Sequence, residues 1–296
     1  GLDHCEHLGF TLGEIAREKA GIIKPGVPVV IGEAEASTRN IFKIKAKESA
    51  SKILCAQDFI YKDVKASEYN LDLLGDYQNM NIRTVLTSLA VLGTLPEFVK
   101  FFDSDSAEDL PEGVSRPVWS DENIRTGLSN AAKNTGLRGR WEIMCTEPKV
   151  ICDTGHNAHG LKHVFEQLRK EVPPESGKRL FIILGFVADK DLAPILGLLP
   201  ENAFYIFTQA QISRALNADD LAKRCISIGL EGEVKHSVKD AVDYFCSVHK
   251  SNDVLFIGGS TYIVAEAITY LEGNDALPHT QKFYKFPENP PEIFGK

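Results

Sequence analysis

The stretch Val150-Ile151-Cys152-Asp153-Thr154-Gly155-His156-Asn157 decides the fold, because an apolar run ends there in a carboxylate, an imidazole and an amide. A helical pattern follows at 161–168. Open α/β sheets build ligand sites in this way, with a buried strand that delivers polar groups at its carboxyl end before a helix. The stretch alone is also compatible with a simple βα turn whose aspartate caps the next helix.

The same alternation of apolar runs and helical patterns continues from Glu142 onward. We predict strands at 149–153, 179–185, 203–208, 233–236 and 253–258. We predict helices at 161–168, 192–198, 219–228, 238–249 and 263–270. Helical crossovers between strands imply a mostly parallel sheet that is covered on both faces. This part of the chain therefore predicts one complete α/β domain.

The first part of the chain is less regular, and its predicted sheet is incomplete. Its patterns predict a single strand at 27–31 and helices at 11–20, 38–51, 78–92 and 122–134. Residues 101–118 are rich in Asp, Ser, Glu and Pro, which predicts an exposed connection. We place the domain boundary at a hinge, Thr135-Gly136-Leu137, which gives domains at 1–137 and 138–296. The tail from Leu277 contains four prolines and is expected to be extended.

Composition excludes several classes of protein. The chain has 296 residues and a formal net charge of −8, and it lacks the clustered Lys and Arg of a nucleic-acid surface. No apolar run approaches the roughly 20 residues that span a bilayer. Its six cysteines have no paired metal-ligand spacing and are predicted to be reduced thiols of a cytoplasmic protein. The sequence begins without Met, so we expect that an upstream portion is missing.

Polar and glycine residues recur at the predicted strand ends of the second domain. The carboxyl ends of parallel strands share one edge of a sheet, so residues that are distant in sequence can form one crevice there. Taken one at a time, these residues are better explained as turn glycines and solvated charges, but their joint recurrence at strand ends favours a site. The expected crevice residues are Asp153, His156, Gly185, Asp189, Lys190, Thr208, Arg214, His236, Gly258, Gly259 and Ser260.

In the first domain, His4 precedes a predicted helix whose last turn contains Lys19. A cation suits the end of a helix, so a structural lysine is one interpretation. The run His4-Cys5-Glu6-His7 is a weak zinc pattern, because no second cluster completes a tetrahedral set. One imidazole with oxygen ligands suits Mg²⁺ or Mn²⁺ beside phosphates better. The nearest match to a phosphate loop, Ser176-Gly177-Lys178-Arg179, lacks its Ser or Thr and precedes a strand.

Taken together, several motifs in order resemble the folylpolyglutamate synthase/dihydrofolate synthase family, within the wider Mur ligase group of ATP-dependent amide-forming enzymes. The resemblance spans nearly the whole chain. It implies an α/β protein in which an incomplete Mur-ligase-type ATPase domain precedes a Rossmann-like, glutamate-binding domain. The motifs are Gly1-Leu2-Asp3-His4, Glu18-Lys19-Ala20-Gly21-Ile22, residues 73–81, Gly139-Arg140-Trp141-Glu142, residues 153–157, Asp189-Lys190-Asp191 and Gly259-Ser260.

The resemblance implies an activity that joins glutamate to dihydropteroate or a folate at the expense of ATP, through an acyl phosphate and with Mg²⁺ or Mn²⁺. In the first domain, His4 matches the family's metal-ligand histidine. Lys19 matches a lysine that can be carbamylated, which turns a cation into an anion of the metal site. Asn81 matches an asparagine that contacts the nucleotide base.

In the second domain, the resemblance implies that Arg140 and Asp153 reach the phosphates and ribose of ATP. His156 and Ser260 match positions associated with the amino-acid substrate and with closure of the catalytic cleft. The expected partners are therefore small molecules, namely ATP, L-glutamate and a pteroate or folate, with no nucleic acid and no membrane, and the protein is expected to be a monomer.

The chain departs from the family pattern at Gly155, Ala158 and Ile82, and no departure removes a functional group. The family's Gly-rich phosphate loop and an acidic metal ligand would lie upstream of Gly1, so we expect the chain alone to be inactive. Two alternatives remain at this stage: a Mur-type peptidoglycan amino-acid ligase, and a non-catalytic binding module that has the shape of a ligase.

Overall fold

The computed structural model describes Gly9, residues 11–95 and residues 119–274. The predicted connection at 101–118 and the tail from Leu277 lie outside the described residues.

The chain divides into two compact units, of which the first ends at Ala131 and the second begins at Ala132. A short piece of the earlier sequence, Leu73–Gly75, belongs to the second unit. Within that unit, the Gln167 side-chain amide donates a hydrogen bond of 3.0 Å to the Leu74 carbonyl oxygen. The second unit is therefore built from two separate pieces of the chain.

The first unit contains a small parallel sheet of two strands, in which Val29 lies opposite Ile53. Ala20, Ile23 and Ala46 form its buried apolar cluster. Its elements are α1 (Leu12–Ala20), β1 (Val29–Ile31), α2 (Ala36–Glu48), β2 (Ile53–Cys55), α3 (Gln78–Leu92) and α4 (Asp121–Ser129), with 3₁₀ turns at Ala56–Asp58 and Ala66–Tyr69. The strand β2 was not predicted, because three residues are too few for a periodic pattern.

The second unit alternates strands and helices, as the sequence predicts. A short helix, α5 (Ala131–Thr135), begins at the division between the units. The remaining elements are β3 (Glu142–Thr146), β4 (Lys149–Cys152), α6 (Ala158–Glu171), β5 (Leu180–Leu184), α7 (Ala193–Leu196), β6 (Phe204–Phe207), α8 (Ala218–Ile226), β7 (Glu231–Val234), α9 (Val238–Val248), β8 (Val254–Gly258) and α10 (Thr261–Gly273), with a 3₁₀ turn at Pro174–Ser176.

These strands form one six-stranded sheet in the order β3-β4-β8-β5-β6-β7. All neighbouring pairs are parallel except β3 and β4, which are antiparallel. The last strand, β8, lies between β4 and β5, so the chain returns to the middle of the sheet. The prediction of an α/β protein with a mostly parallel sheet is confirmed.

Side chains of β8 alternate between two apolar layers, which explains why both faces of the sheet are covered. Leu255 and Ile257 belong to one cluster with residues of α9 and α10. Phe256, between them in sequence, contacts Phe165 of α6 edge to face, with 5.9 Å between the ring centroids. The strand is buried along its whole length, as expected for a central parallel strand.

Four helices of the second unit begin at the carboxyl ends of strands, and a side-chain cap fixes each start. Asn157, Asn217, Ser237 and Ser260 each accept a hydrogen bond from a backbone N–H in the first turn of α6, α8, α9 and α10. Such caps satisfy amide groups that the helix itself cannot. The residue at the start of α6 that acts as cap is therefore Asn157, not Asp153.

Besides the unpredicted β2, the structure differs from the predicted elements in three further places. The strand β3 was missed because it is an antiparallel edge strand with polar ends. The edge strand β7 lies at Glu231–Val234 rather than 233–236, since its sequence is mostly polar and gives no hydrophobic pattern. The predicted helix at 122–134 is two helices, because Asn130 leaves the helical conformation with φ −126° and ψ 25°.

Candidate functional site

The candidate site lies in the second unit, where four neighbouring strands end side by side. The Asp153 N–H donates a hydrogen bond of 3.1 Å to the Ile257 carbonyl oxygen, which joins the ends of β4 and β8. The Gly185 N–H donates to Gly258, at 3.4 Å, and joins β5 to β8. Beyond β6, Thr208 is fully buried. These contacts bring together strand ends that the sequence predicts to share one edge.

Two glycines allow the backbones at this edge to approach closely. Gly259 has φ +92°, and a Cβ atom there would lie 2.7 Å from the Gly185 carbonyl oxygen. A Cβ at Gly185 would lie 2.6 Å from the Thr208 carbonyl oxygen. Both positions therefore require glycine, one for its conformation and both for space.

Asp153 is 1% exposed, and its carboxylate holds the turn before β3. One carboxylate oxygen, Oδ2, accepts a hydrogen bond of 2.8 Å from the Trp141 N–H. The other, Oδ1, accepts one of 2.7 Å from the Gly155 N–H. The Thr154 N–H also donates to the Gly139 carbonyl oxygen, at 2.8 Å. Asp153 and the Thr154 N–H thus fix the backbone on either side of Arg140, the residue that the resemblance assigns to ATP phosphates.

Arg140 is exposed and lies on a sharply bent turn. Gly139 has φ +67° and Trp141 has φ +52°, which is an uncommon conformation for a bulky residue. The Trp141 side chain is 1% exposed, and the Glu142 carboxylate accepts a 2.7 Å hydrogen bond from the Gly139 N–H. Burial and hydrogen bonds therefore hold a strained backbone that presents Arg140 to solvent. Strained residues of this kind are often found at functional sites.

His156 is half-buried in the loop between β4 and α6. Its Nδ1 atom lies 3.1 Å from the Thr154 carbonyl oxygen. A carbonyl oxygen can only accept, so this contact assigns the proton of a neutral ring to Nδ1 and makes Nε2 the acceptor nitrogen. The imidazole is therefore oriented as a hydrogen-bond acceptor or a base.

Ser260 is 5% exposed and caps α10 at the end of β8. Its Oγ atom accepts a hydrogen bond of 3.2 Å from the Tyr262 N–H. As a hydroxyl that already accepts, it retains a proton that it can donate to a ligand oxygen. Tyr262, the next residue but one, is 42% exposed on the same helix end.

An ion pair joins the loops that follow β5 and β6. Arg214 donates from Nη2 to both carboxylate oxygens of Asp189, at 3.1 and 2.8 Å. Partial desolvation works to raise the pKa of Asp189, but the Arg214 hydrogen bond and charge outweigh it and hold that pKa below its ordinary value. Both side chains are about half exposed, 55% for Arg214 and 45% for Asp189. Asp189 is therefore a carboxylate, and Arg214 a fixed cation, at this edge.

A third arginine near the site, Arg138, forms two ion pairs within the unit. Its guanidinium binds Glu142 at 2.6 Å and Glu272 at 2.8 Å. Sequence reasoning did not identify Glu272 as its partner, because the two residues are 134 positions apart and no local pattern joins them.

Two candidate residues of the first unit, Asn81 and Lys19, lie on helices. Asn81 is exposed on α3, and its side-chain amide donates a hydrogen bond of 2.8 Å to the buried Gln78 side chain. Lys19 is exposed in the last turn of α1. His4 lies outside the described residues. Within the described part of the chain, no three His, Cys, Asp or Glu side chains are grouped so that they could hold a metal ion.

The second unit therefore combines three kinds of group along one sheet edge. An oriented imidazole and a buried hydroxyl follow β4 and β8, and two exposed guanidinium groups, Arg140 and Arg214, flank them along the edge. Guanidinium groups match the geometry of phosphates and carboxylates. The described helices include none that is long and apolar enough to cross a membrane. This edge is suited to anionic small molecules.

Comparison with known proteins gives a consistent result. Residues 139–261 match the family described as Mur ligase, glutamate ligase domain. A probable bifunctional folylpolyglutamate synthase/dihydropteroate synthase of Haloferax volcanii is 29% identical over 90% of this chain and 31% of its own length.

Two solved structures have the same fold. An Escherichia coli FolC structure in complex with DHPP and ADP is 24% identical, with a TM-score of 0.70 over 92% of this chain and 60% of that chain. A bifunctional folylpolyglutamate synthase/dihydrofolate synthase with Mn, AMPPNP and L-glutamate bound is 23% identical, with a TM-score of 0.66 over the same shares. The chain thus spans less than two thirds of the length of these relatives. Residues 139–261 therefore match the glutamate ligase domain of Mur ligases, and the chain is similar in sequence and fold to folylpolyglutamate synthase/dihydrofolate synthases.

Proposed function

We propose that this chain is part of an ATP-dependent acid–amino-acid ligase that adds L-glutamate to dihydropteroate, to folates or to both. In this proposal, residues 1–137 are the C-terminal part of the central ATP-binding domain, and residues 138–296 bind glutamate. The observation that carries the proposal is the shared sheet edge, where His156, Ser260 and Arg140 occupy neighbouring loops of a domain that matches the glutamate ligase family.

The chemistry explains why such an edge is useful. A carboxylate is a poor electrophile, because its negative charge repels an amine, so it is first phosphorylated and then attacked as an acyl phosphate. The amino group of glutamate must lose a proton in the attack. When Nδ1 of His156 donates to the Thr154 carbonyl oxygen, its Nε2 atom can act as the base for that proton, and the Ser260 hydroxyl can donate to a ligand oxygen. The phosphate leaves, so fixed cations near its oxygens stabilise the reaction.

ATP supplies the phosphoryl group, and the available donors suit it. Arg140, held by Asp153 and Glu142 through the backbone, is suited to bind phosphate oxygens. Asn81 has an exposed amide, which suits a nucleotide base. Both carboxylate oxygens of Asp153 already accept backbone hydrogen bonds. Its main contribution in our proposal is therefore to position Arg140, with a ribose contact as a second role.

Residues of the first unit would hold the metal ion that the reaction needs. We propose His4 as a ligand of Mg²⁺ or Mn²⁺ and Lys19 as a carbamylated residue of that site, as the family resemblance implies. Lys19 is exposed, so carbon dioxide can reach its amine. Mass spectrometry of the protein in bicarbonate with Mg²⁺ should then detect a carbon dioxide adduct, and Lys19→Ala should abolish it. The described residues alone do not form a metal site, so no catalytic step is assigned to the ion.

The cellular setting follows from the same reading. The described cysteines are all free thiols, which suits a cytoplasmic protein. We propose that the enzyme works there as a monomer.

The decisive experiment uses the complete gene product. Purified protein is incubated with ATP, Mg²⁺ and L-glutamate, with dihydropteroate or tetrahydrofolate as the acceptor. We expect phosphate release that requires both glutamate and the acceptor, and a product heavier by one glutamate residue. His156→Ala should lose this activity, whereas His249→Ala, at the other end of the unit after α9, should keep it.

Other outcomes would overturn the proposal. Activity with a nucleotide-linked muramoyl acceptor and none with pterins would indicate a peptidoglycan ligase instead. Binding of these ligands without any phosphate release would indicate a non-catalytic module.

A further inference from the structure

We propose that Arg214 binds a carboxylate of the incoming amino acid and so makes the enzyme select an acidic substrate. This inference rests on the proposed glutamate ligation, and it assigns a role to a residue that the family motifs leave without one. Glutamate has two carboxylates as well as the reacting amino group, and a guanidinium is the side chain best suited to hold a carboxylate.

The loop that contains Arg214 is fastened at its base. Between β6 and α8, the Gln209 side-chain oxygen accepts a 3.0 Å hydrogen bond from the Ala218 N–H at the start of α8. The Gln211 N–H donates to the Glu266 carboxylate on α10, at 2.7 Å. The Gln211 side-chain amide also donates, at 3.2 Å, to the His236 carbonyl oxygen beyond β7. The loop is thus tied to three separate elements.

The tip of this loop is held by the neighbouring loop after β5. The Ala188 N–H donates a 2.8 Å hydrogen bond to the Arg214 carbonyl oxygen, and the Leu216 N–H donates one of 2.9 Å to Phe186. Together these bonds make a short antiparallel bridge between the loops. A binding residue on a rigid support loses little entropy when it meets its ligand.

Asp189 orients the guanidinium without occupying all of it. Both hydrogen bonds to Asp189 come from one terminal nitrogen, Nη2, so the donors on Nε and Nη1 are separate from this pair. The Arg214 side chain is 55% exposed, so a ligand can reach it. The hydrogen bond to Asp189 is also the main reason why the pKa of Arg214 is raised, and Tyr262 contributes.

Arg214 lies on the same sheet edge as His156 and Ser260, the residues proposed to contact the glutamate substrate. Tyr262, whose phenol is near enough to influence Arg214, donates its N–H to Ser260. The strands β8 and β6, which lead to Ser260 and Arg214, are separated only by β5. Neighbouring strands are about 4.8 Å apart, so these two strand ends are about 10 Å apart. An extended amino acid with one side-chain ligand at each end can span that gap.

Other arginines of the second unit are less suited to this role. Arg138 is bound to Glu142 and Glu272. Arg179 is bound to Asp253 where β5 and β8 begin, at the opposite edge of the sheet. Of these arginines, Arg214 is therefore the one that lies on the β6 side of the site once Arg140 is assigned to phosphate.

The test measures steady-state kinetics of the complete gene product with Arg214→Met, Arg214→Lys and the matched control Arg224→Met. Arg224 is exposed on α8, away from the strand ends. We expect Arg214→Met to raise the KM for glutamate about 10- to 100-fold, the loss typical of one hydrogen-bonded charge. The kcat and the KM for ATP should change less than about threefold. Arg214→Lys, which keeps the charge, should recover part of the loss.

Selectivity provides a second readout. The wild type should prefer glutamate to its two monoamides, the α-amide and glutamine, and Arg214→Met should lose its preference over one of them. That amide identifies which carboxylate Arg214 binds. An active wild type with an unchanged glutamate KM in Arg214→Met overturns this inference alone. A wild type that ligates no glutamate overturns the proposed function, and this inference with it.

Discussion

Replacing Asp153 tests whether this buried carboxylate builds the Arg140 turn. Its two oxygens accept backbone hydrogen bonds of 2.8 and 2.7 Å from Trp141 and Gly155. Hydrogen bonds to a charged partner contribute about 1.5–3 kcal/mol each, so their loss in Asp153→Ala removes about 3–6 kcal/mol. Removing a charge from the interior returns part of this. We therefore expect a net destabilisation of the second unit by about 3 kcal/mol.

The isosteric variant Asp153→Asn gives an intermediate value. Its side chain keeps one acceptor oxygen but presents an NH₂ group to the other backbone N–H, so about 2 kcal/mol should be lost. Asp220→Ala is the matched control, because Asp220 is 56% exposed and pairs only loosely with Lys223 at 3.3 Å. Exposed pairs contribute about 0–1 kcal/mol.

Urea unfolding measured by tryptophan fluorescence provides the assay. The chain contains two tryptophans, so a Trp119→Phe background leaves Trp141, which is 1% exposed, as the reporter of the second unit. Free energies of unfolding follow from the linear dependence on urea concentration. If Asp153→Ala unfolds at the same urea concentration as Asp220→Ala, the argument that Asp153 supports the turn is wrong.

Three further predictions concern stability and reactivity. Gly259→Ala should destabilise the second unit by about 2–3 kcal/mol, because φ is +92° and the new Cβ would lie 2.7 Å from a backbone oxygen. The control Gly197→Ala has open space around the new Cβ and should cost less than about 1 kcal/mol in the same urea assay. Burial works to raise the pKa of Asp253, but hydrogen bonds from Arg179 outweigh burial and lower that pKa. The ionised Asp253 carboxylate therefore contributes its full stabilisation above about pH 4, and this contribution is lost as the pH falls below that value. The difference in free energy of unfolding between the wild type and Asp253→Asn should therefore become smaller in acid. A difference that grows in acid would show that the pKa of Asp253 is not lowered in the folded protein. Burial raises the pKa of Cys225 to about 11. At pH 8 this thiol should therefore react with a thiol reagent about 100-fold more slowly in the folded protein than after unfolding. Equal reaction rates would contradict the burial of Cys225.

The fold of the second unit could be predicted from sequence because its central strands are short, continuous apolar runs between amphipathic helices. Such runs indicate buried parallel strands, and the rule that parallel strands end at a common edge brought His156 and Ser260 together. The edge strands were harder: β3 and β7 have polar residues, and their pairing depends on neighbours that no local pattern identifies.

The sequence predicts that several candidate residues follow strand ends, but it does not predict the contacts that hold them. A polar run after a strand identified Asp153, yet the strained Trp141 conformation and the hydrogen bonds that hold Arg140 depend on contacts across the unit. The pairing of Asp189 with Arg214 likewise joins two loops that are 25 residues apart. In the first unit, the short strands β1 and β2 gave little periodic pattern.

The close approach of backbones at Gly185 and Gly259 limits how this protein can diversify. Neither glycine position has room for a side chain, so substitutions there would disrupt the fold before they altered ligand preference. We expect ligand preference to change more readily at exposed loop residues beyond the strand ends, such as Arg214, whose side chain is 55% exposed. Under the proposed function, a library that varies these exposed loop residues and keeps Gly185 and Gly259 is the direct route to ligases for other amino acids.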